Sequence, residues 1–171
     1  MKHALPLTAV LALTACGATT PPPAAYCPNV AALAQANTLT LFLPGRQDIA
    51  AEITQAKITG IAGSCTLVKK QNLLRVKFQA GFSGSNGPAN NNPSLLLPYF
   101  VSISQGDTII SKANYTITLS FSGNVSTATA ATKPITVDLP NTPDSATTDI
   151  LIGFQLTPDQ VAYAAAHPSG P

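Results

Sequence analysis

Apolar and polar side chains alternate most clearly from Leu73 to Phe82. Leu74, Val76, Phe78, Ala80 and Phe82 share one face, and Arg75, Lys77 and Gln79 the other. A period of two predicts a strand buried on one side and wet on the other, as in an antiparallel sheet. Thr66 to Lys69 supplies the first arm of a hairpin across Lys70-Gln71-Asn72, of which this strand is the second. Upstream, Leu39, Leu41 and Leu43 alternate with Thr38, Thr40 and Phe42 until Pro44-Gly45-Arg46 turns the chain. Glu52 to Ile61 reads as a further extended segment, with Ala56, Ile58 and Gly60 on one face and Lys57 and Thr59 on the other. Ala62-Gly63-Ser64 then reads as a turn into Cys65.

The second half repeats the pattern. Leu95 to Ser104 is apolar, and Gln105-Gly106-Asp107 supplies a hairpin turn into Thr108 to Lys112. Tyr115, Ile117, Leu119 and Phe121 alternate with small polar residues, and Ile135, Val137 and Leu139 form a short strand ending at Pro140. Asn141 to Thr147 reads as a turn. Asp149 to Leu156 places Ile150, Ile152, Phe154 and Leu156 on one face and Leu151 on the other, the pattern of a central strand. Ser83 to Ser94 and Ser122 to Lys133 read as exposed loops, the first too polar to pack and expected to be mobile. Val30 to Ala36 is alanine-rich, which predicts a helical turn or two. Thr157-Pro158-Asp159-Gln160 predicts a helix start: a capping threonine, proline at the first helical position, an acid at the positive end and a glutamine to close the capping box. That helix should run to about Ala166 and stop before Pro168.

Eight or nine short strands with one real helix predict a mainly β fold. The architecture expected is an antiparallel two-layer sandwich, immunoglobulin-like or fibronectin-like, with a short C-terminal helix. A closed barrel is the competing architecture. The chain has no tryptophan, so it lacks the buried indole of true immunoglobulin domains.

The N-terminus follows different rules. Lys2 and His3 precede an apolar run from Ala4 to Ala15, too short for the ~20 residues a spanning helix needs and interrupted by Pro6. The run ends in Leu13-Thr14-Ala15-Cys16, which resembles a bacterial lipobox. Residues 1–15 are therefore expected to be a lipoprotein signal peptide, with a non-lipidated signal cut at Ala15 as the competitor. The resemblance implies that Cys16 becomes the first mature residue and carries diacylglycerol, with a further acyl chain such as palmitate on its amine. Two or more chains anchor stably, so the protein would sit on a membrane without spanning it. Gly17 rather than aspartate after the cysteine favours the outer membrane, facing the periplasm. Residues 16–26 form a proline-rich tether, of which nine residues would reach roughly 25–30 Å if extended. Residues 27–171 are left as a single domain, large enough for a core of its own.

The anchor changes the cysteine count. With Cys16 assigned to lipid, Cys27 and Cys65 remain as a disulfide pair in an oxidising compartment, two buried free thiols being the alternative. The nine Lys and Arg against seven Asp and Glu include Lys2 of the leader, so the mature chain is nearly neutral. No basic surface for nucleic acid is implied.

Catalytic patterns are missing. His167 is the one histidine outside the leader, and no Gly-x-Ser-x-Gly elbow exists. Glu52, Asp107, Asp138, Asp144, Asp149 and Asp159 fall mostly at turns, strand edges or a helix start. Asp138, Asp144 and Asp149 could meet around calcium, though their spacing matches no known loop. No cofactor is expected.

Several short stretches resemble a group of small lipoproteins from alphaproteobacteria. They are Cys27-Pro28, Leu39-Thr40, Pro44-Gly45-Arg46, Ala56-Lys57-Ile58-Thr59-Gly60, Gly63-Ser64-Cys65, Pro98-Tyr99-Phe100-Val101 and the run from Gly153 to Gln160. Where relatives follow the helix tyrosine with Asn-Arg, this chain follows Tyr163 with Ala164-Ala165. The likeness implies class and location, and no activity. The expectation is a non-catalytic, lipid-anchored envelope lipoprotein, structural or accessory to an assembly. Its partners would be the membrane, through the anchor, and an envelope protein. The alternative is a periplasmic binding module for a small ligand, glycan or peptide, using a sheet edge or the aromatic group Tyr99, Phe100 and Tyr115. A hydrolase is the third reading.

Overall fold

The computed structural model describes residues 26–123 and 125–167. The leader, Cys16 and all of the tether before Tyr26 lie outside that range. Nine strands form two sheets: β1 (Asn29–Ala32), β2 (Thr38–Phe42), β3 (Glu52–Val68), β4 (Leu73–Ser85), β5 (Ser94–Gln105), β6 (Thr108–Ser120), β7 (Thr127–Ala131), β8 (Ile135–Pro140) and β9 (Thr148–Phe154). One sheet has the order β1-β9-β5-β6; the other runs β2-β3-β4-β7, with β8 also on β4. All pairings are antiparallel except β1 with β9. The two sheets face each other as an open sandwich, not a barrel.

The alternating strands behave as their sequences require. Leu74, Val76, Phe78, Ala80 and Phe82 of β4 are buried, and so are Ile150, Ile152 and Phe154 of β9. Leu97, Tyr99 and Val101 of β5 complete the centre. β9 lies between β1 and β5. The hairpin joining β3 and β4 turns at Asn72, whose φ of 49° is left-handed, a region asparagine tolerates better than most residues.

Four expectations fail, each for a tertiary reason. Ala62-Gly63-Ser64 does not turn; β3 runs straight through it, paired with β4 from Phe78 to Gln79 and beyond. Gly63 is needed because a Cβ there would stand 2.7 Å from the Lys77 carbonyl oxygen. Val30 to Ala36 is not helical at its start: β1 takes a parallel partner in β9, and only Ala34–Ala36 forms a 3-10 turn. Ser122 to Lys133 contains β7, which lies on β4 and buries Ala128. β7 and β8 together make one edge, interrupted where Thr132 is buried and its hydroxyl accepts the Ala80 N–H at 3.1 Å.

Ser83 to Ser94 is the fourth. β4 continues to Ser85, and the segment after it is pinned. The Asn86 N–H donates to Ser126, Gly87 to Ile53 and Ala89 to Glu52. A side chain at Gly87 would collide with the Glu52 backbone.

The helix α1 (Pro158–Ala166) forms as its caps require. Thr157 accepts from the Gln160 N–H, and the Gln160 side chain accepts from the Thr157 N–H. It lies against β2, where Phe42 meets Tyr163 edge-on at 5.0 Å.

Candidate functional site

The two flanks of the sandwich differ. On one, Cys27, just ahead of β1, is bonded to Cys65 on β3, with an S–S distance of 2.02 Å. This joins the two sheets covalently where β3 has run past its β2 partner, since that pairing ends at Lys57. The disulfide expected from the cysteine count is therefore present.

On the other flank, the edge strands β6 and β7–β8 do not pair with each other. Between them opens a groove of about 650 Å³, lined by Tyr99, Tyr115, Ile117, Thr118, Lys133 and Ile135 among others. Pockets of this size hold small ligands. Tyr99 and Tyr115 stand opposite each other in the β5–β6 register and stack at 5.3 Å, nearly parallel. Tyr99 is 4% exposed and also packs on Phe82; Tyr115 is 40% exposed and offers its ring at the groove mouth. Burial, and secondarily the neighbouring Tyr115 phenol, hold the Tyr99 hydroxyl above its usual pKa. The pair is thus a stacked platform with one accessible ring.

Phe100 does not join them. It follows Tyr99 on the strand, so its ring lies on the opposite face of the sheet. There it sits over Gly153, where an added Cβ would come within 2.9 Å of both the Phe100 ring and the Ala36 methyl. Lys112 places its Nζ 4.2 Å from the ring centre. Phe100 closes the outer surface of the four-stranded sheet, and the three-residue aromatic candidate reduces to Tyr99 and Tyr115.

A second concavity, of about 620 Å³, lies between the β2 end and α1. It brings together two stretches noted in the sequence, Pro44-Gly45-Arg46 and Thr157 to Gln160. Two of its polar side chains are engaged within the chain. Arg46 donates two hydrogen bonds to Asp48, which hold that carboxyl below the usual carboxylate range, and Gln160 closes the helix cap. The first groove offers the freer surface.

The acidic residues do not converge. Among the described residues, no three of His, Cys, Asp and Glu are placed to hold a metal. Asp138 receives two hydrogen bonds from Arg75, and Asp149 one from Asn29. Asp138, Asp144 and Asp149 are not brought together as a ligand set. His167 stacks on Tyr163 at 4.2 Å, and its Nδ1 lies 3.0 Å from the Tyr163 carbonyl oxygen at the helix end. No helix among the described residues is long and apolar enough to cross a membrane.

The wall made by Lys133 to Thr136 was hidden in the sequence. It becomes a groove wall only because β7 and β8 dock on β4. Comparisons with protein-family models, curated proteins and solved structures find no match for this chain.

Proposed function

We propose that this chain is a non-catalytic lipoprotein of the bacterial envelope, held by acylated Cys16 and presenting one β-sandwich as an accessory or structural part of an assembly. The observation that carries the reading is the Cys27–Cys65 bond. Persistent disulfides belong to oxidising compartments outside the cytoplasm. The bond also accounts for two of the three cysteines and leaves Cys16, at the end of a lipobox-like run, for lipid. The resemblance to small alphaproteobacterial lipoproteins points the same way. The location inferred is the outer membrane, facing the periplasm.

The test is fractionation of cells expressing Cys16→Ala. The wild-type chain is expected in the membrane pellet, and the variant in the soluble fraction or retained as uncleaved precursor. Mature Cys16→Ala pelleting as wild type does would remove the anchor.

A second reading, favoured by the half-exposed Tyr115 ring in an open groove, is a binding module for a small ligand, glycan or peptide. Aromatic faces bury large area at low entropic cost. A photo-crosslinker introduced as Tyr115→p-benzoylphenylalanine should capture a defined species in intact cells. The same change at Ile49, exposed away from the groove, should not. Identical captures from both sites would dismiss the groove.

A further inference from the structure

We propose that the outer face of the five-stranded sheet is an electrostatic docking surface for an anionic phospholipid bilayer. The proposal rests on the anchored reading for its biological setting. Its physical basis is the distribution of charge.

The inward residues of β3 and β4 are apolar except Thr54, and the alternate ones form a single outer face. In register, that face holds Lys57 beside Ser83, Ser64 beside Lys77, and Thr66 beside Arg75. Lys69 and Lys70 extend it at the hairpin tip. All four lysines are exposed. Among the described residues, the register places two acids on the face, Asp138 opposite Arg75 and Glu52 at the far end of β3 opposite Phe42. Asp138 accepts two hydrogen bonds from the Arg75 guanidinium, at 2.8 and 2.7 Å, and cancels that charge. Among the described residues, none of Lys57, Lys69, Lys70 and Lys77 forms a salt bridge.

The remaining five acids lie off the strands of this sheet: Asp48 is paired with Arg46, Asp107 is in the β5–β6 turn, Asp149 is on β9, and Asp144 and Asp159 are in the 3-10 turn before β9 and in α1. Lys112, the lysine of the four-stranded sheet, lies over Phe100. On a nearly neutral chain this face thus carries more cations, Lys57, Lys69, Lys70, Arg75 and Lys77, than acids, Glu52 and Asp138.

Two features fit a bilayer. Residues between the lysines are small: Gly60, Ala62, Ser64, Gly81, Ser83 and Thr136 lie on this face by register. The disulfide also fixes the root of the tether to this same sheet. Cys65 is four residues before Lys69, about 13 Å along an extended strand. A chain tethered at that point has its cationic hairpin within reach of the surface that holds the tether.

The experiment uses the chain from residue 16 onward, which contains every described residue, carrying Cys16→Ala so that no lipid contributes. Sedimentation with phosphatidylglycerol–phosphatidylcholine vesicles is compared with phosphatidylcholine alone. Binding is expected only to the anionic vesicles, falling as salt is raised through the physiological range. Each lysine neutralised should weaken binding about fivefold, so Lys70→Glu with Lys77→Glu should lose at least about 25-fold. Lys112→Glu, an equal charge change on the other sheet, should leave binding nearly unchanged. Equal losses from Lys112→Glu and from Lys77→Glu alone would reduce the effect to net charge and overturn the proposal, as would equal binding to both vesicles. Because no acyl chain is present, failure here leaves the Cys16 reading standing, and failure of the Cys16 reading leaves this measurement intact.

Discussion

Phe82→Ala is expected to lower the unfolding free energy by about 3–5 kcal/mol, the usual cost of emptying a buried phenylalanine site. Phe82 is 1% exposed at the centre of the sandwich. Its ring meets Phe154 edge-on at 5.5 Å and Tyr99 at 5.3 Å. Those partners belong to β9 and β5 of the opposite sheet, so one side chain connects both layers. Strands on both sides hold those residues in place, so the site cannot collapse without moving two sheets. Folded domains hold only about 5–15 kcal/mol in total, and a loss of this size leaves the variant marginal. The measurement is the urea midpoint at unchanged slope. Lys77→Ala on the outer face of the same strand is the control, expected within about 0.5 kcal/mol of wild type. If the two variants unfold together, the packed centre described above is wrong. The same substitution should loosen the groove, because Tyr99 rests on Phe82 and supports Tyr115.

Replacing both Cys27 and Cys65 with serine is expected to cost roughly 3–4 kcal/mol, from the loop entropy that a link across 38 residues removes from the unfolded chain. The effect should also be local. The bond secures β1, an edge strand of four residues, and the part of β3 beyond its β2 partner. Amide exchange in β1 and in the outer half of β3 should therefore rise more than in β4. Reductant should bring the wild-type midpoint down to that of the double variant and leave the variant unmoved. A wild-type midpoint indifferent to reductant would mean the pair contributes nothing.

Much of this architecture was readable beforehand, for a definite reason. A strand with one buried and one wet face must alternate, so β4, β6, β8 and β9 announce themselves. The α1 start was legible because capping is a matter of four adjacent residues, Thr157 to Gln160. The pairing of Cys27 with Cys65 followed from counting thiols on the expectation that Cys16 carries lipid. Where the reading failed, the deciding partner was distant. β1 is alanine-rich and looks helical until β9, some 120 residues later, offers an edge. β7 is built of Thr and Ala and becomes a strand only against β4. The Ser83–Ser94 segment looks unable to pack, yet it finds backbone partners at Glu52, Ile53 and Ser126. Tyr99, Phe100 and Tyr115 are near in sequence, but strand pleating sends Phe100 to the other face.

The sequence by itself determined the class of the fold, the buried faces of β4, β6 and β9, the helix start and the cysteine pairing. These depend on local periodicity, on side-chain chemistry within a few residues, or on simple counting. In β3 the bulge after Ile58 turns Gly60 to the outer face, against its sequence parity. Tertiary structure alone decided which weak segments become strands, which flank is stapled and which lies open, and which face carries more cations than acids. Those outcomes depend on backbone hydrogen bonds and packing between residues far apart in the chain, and no local pattern encodes them.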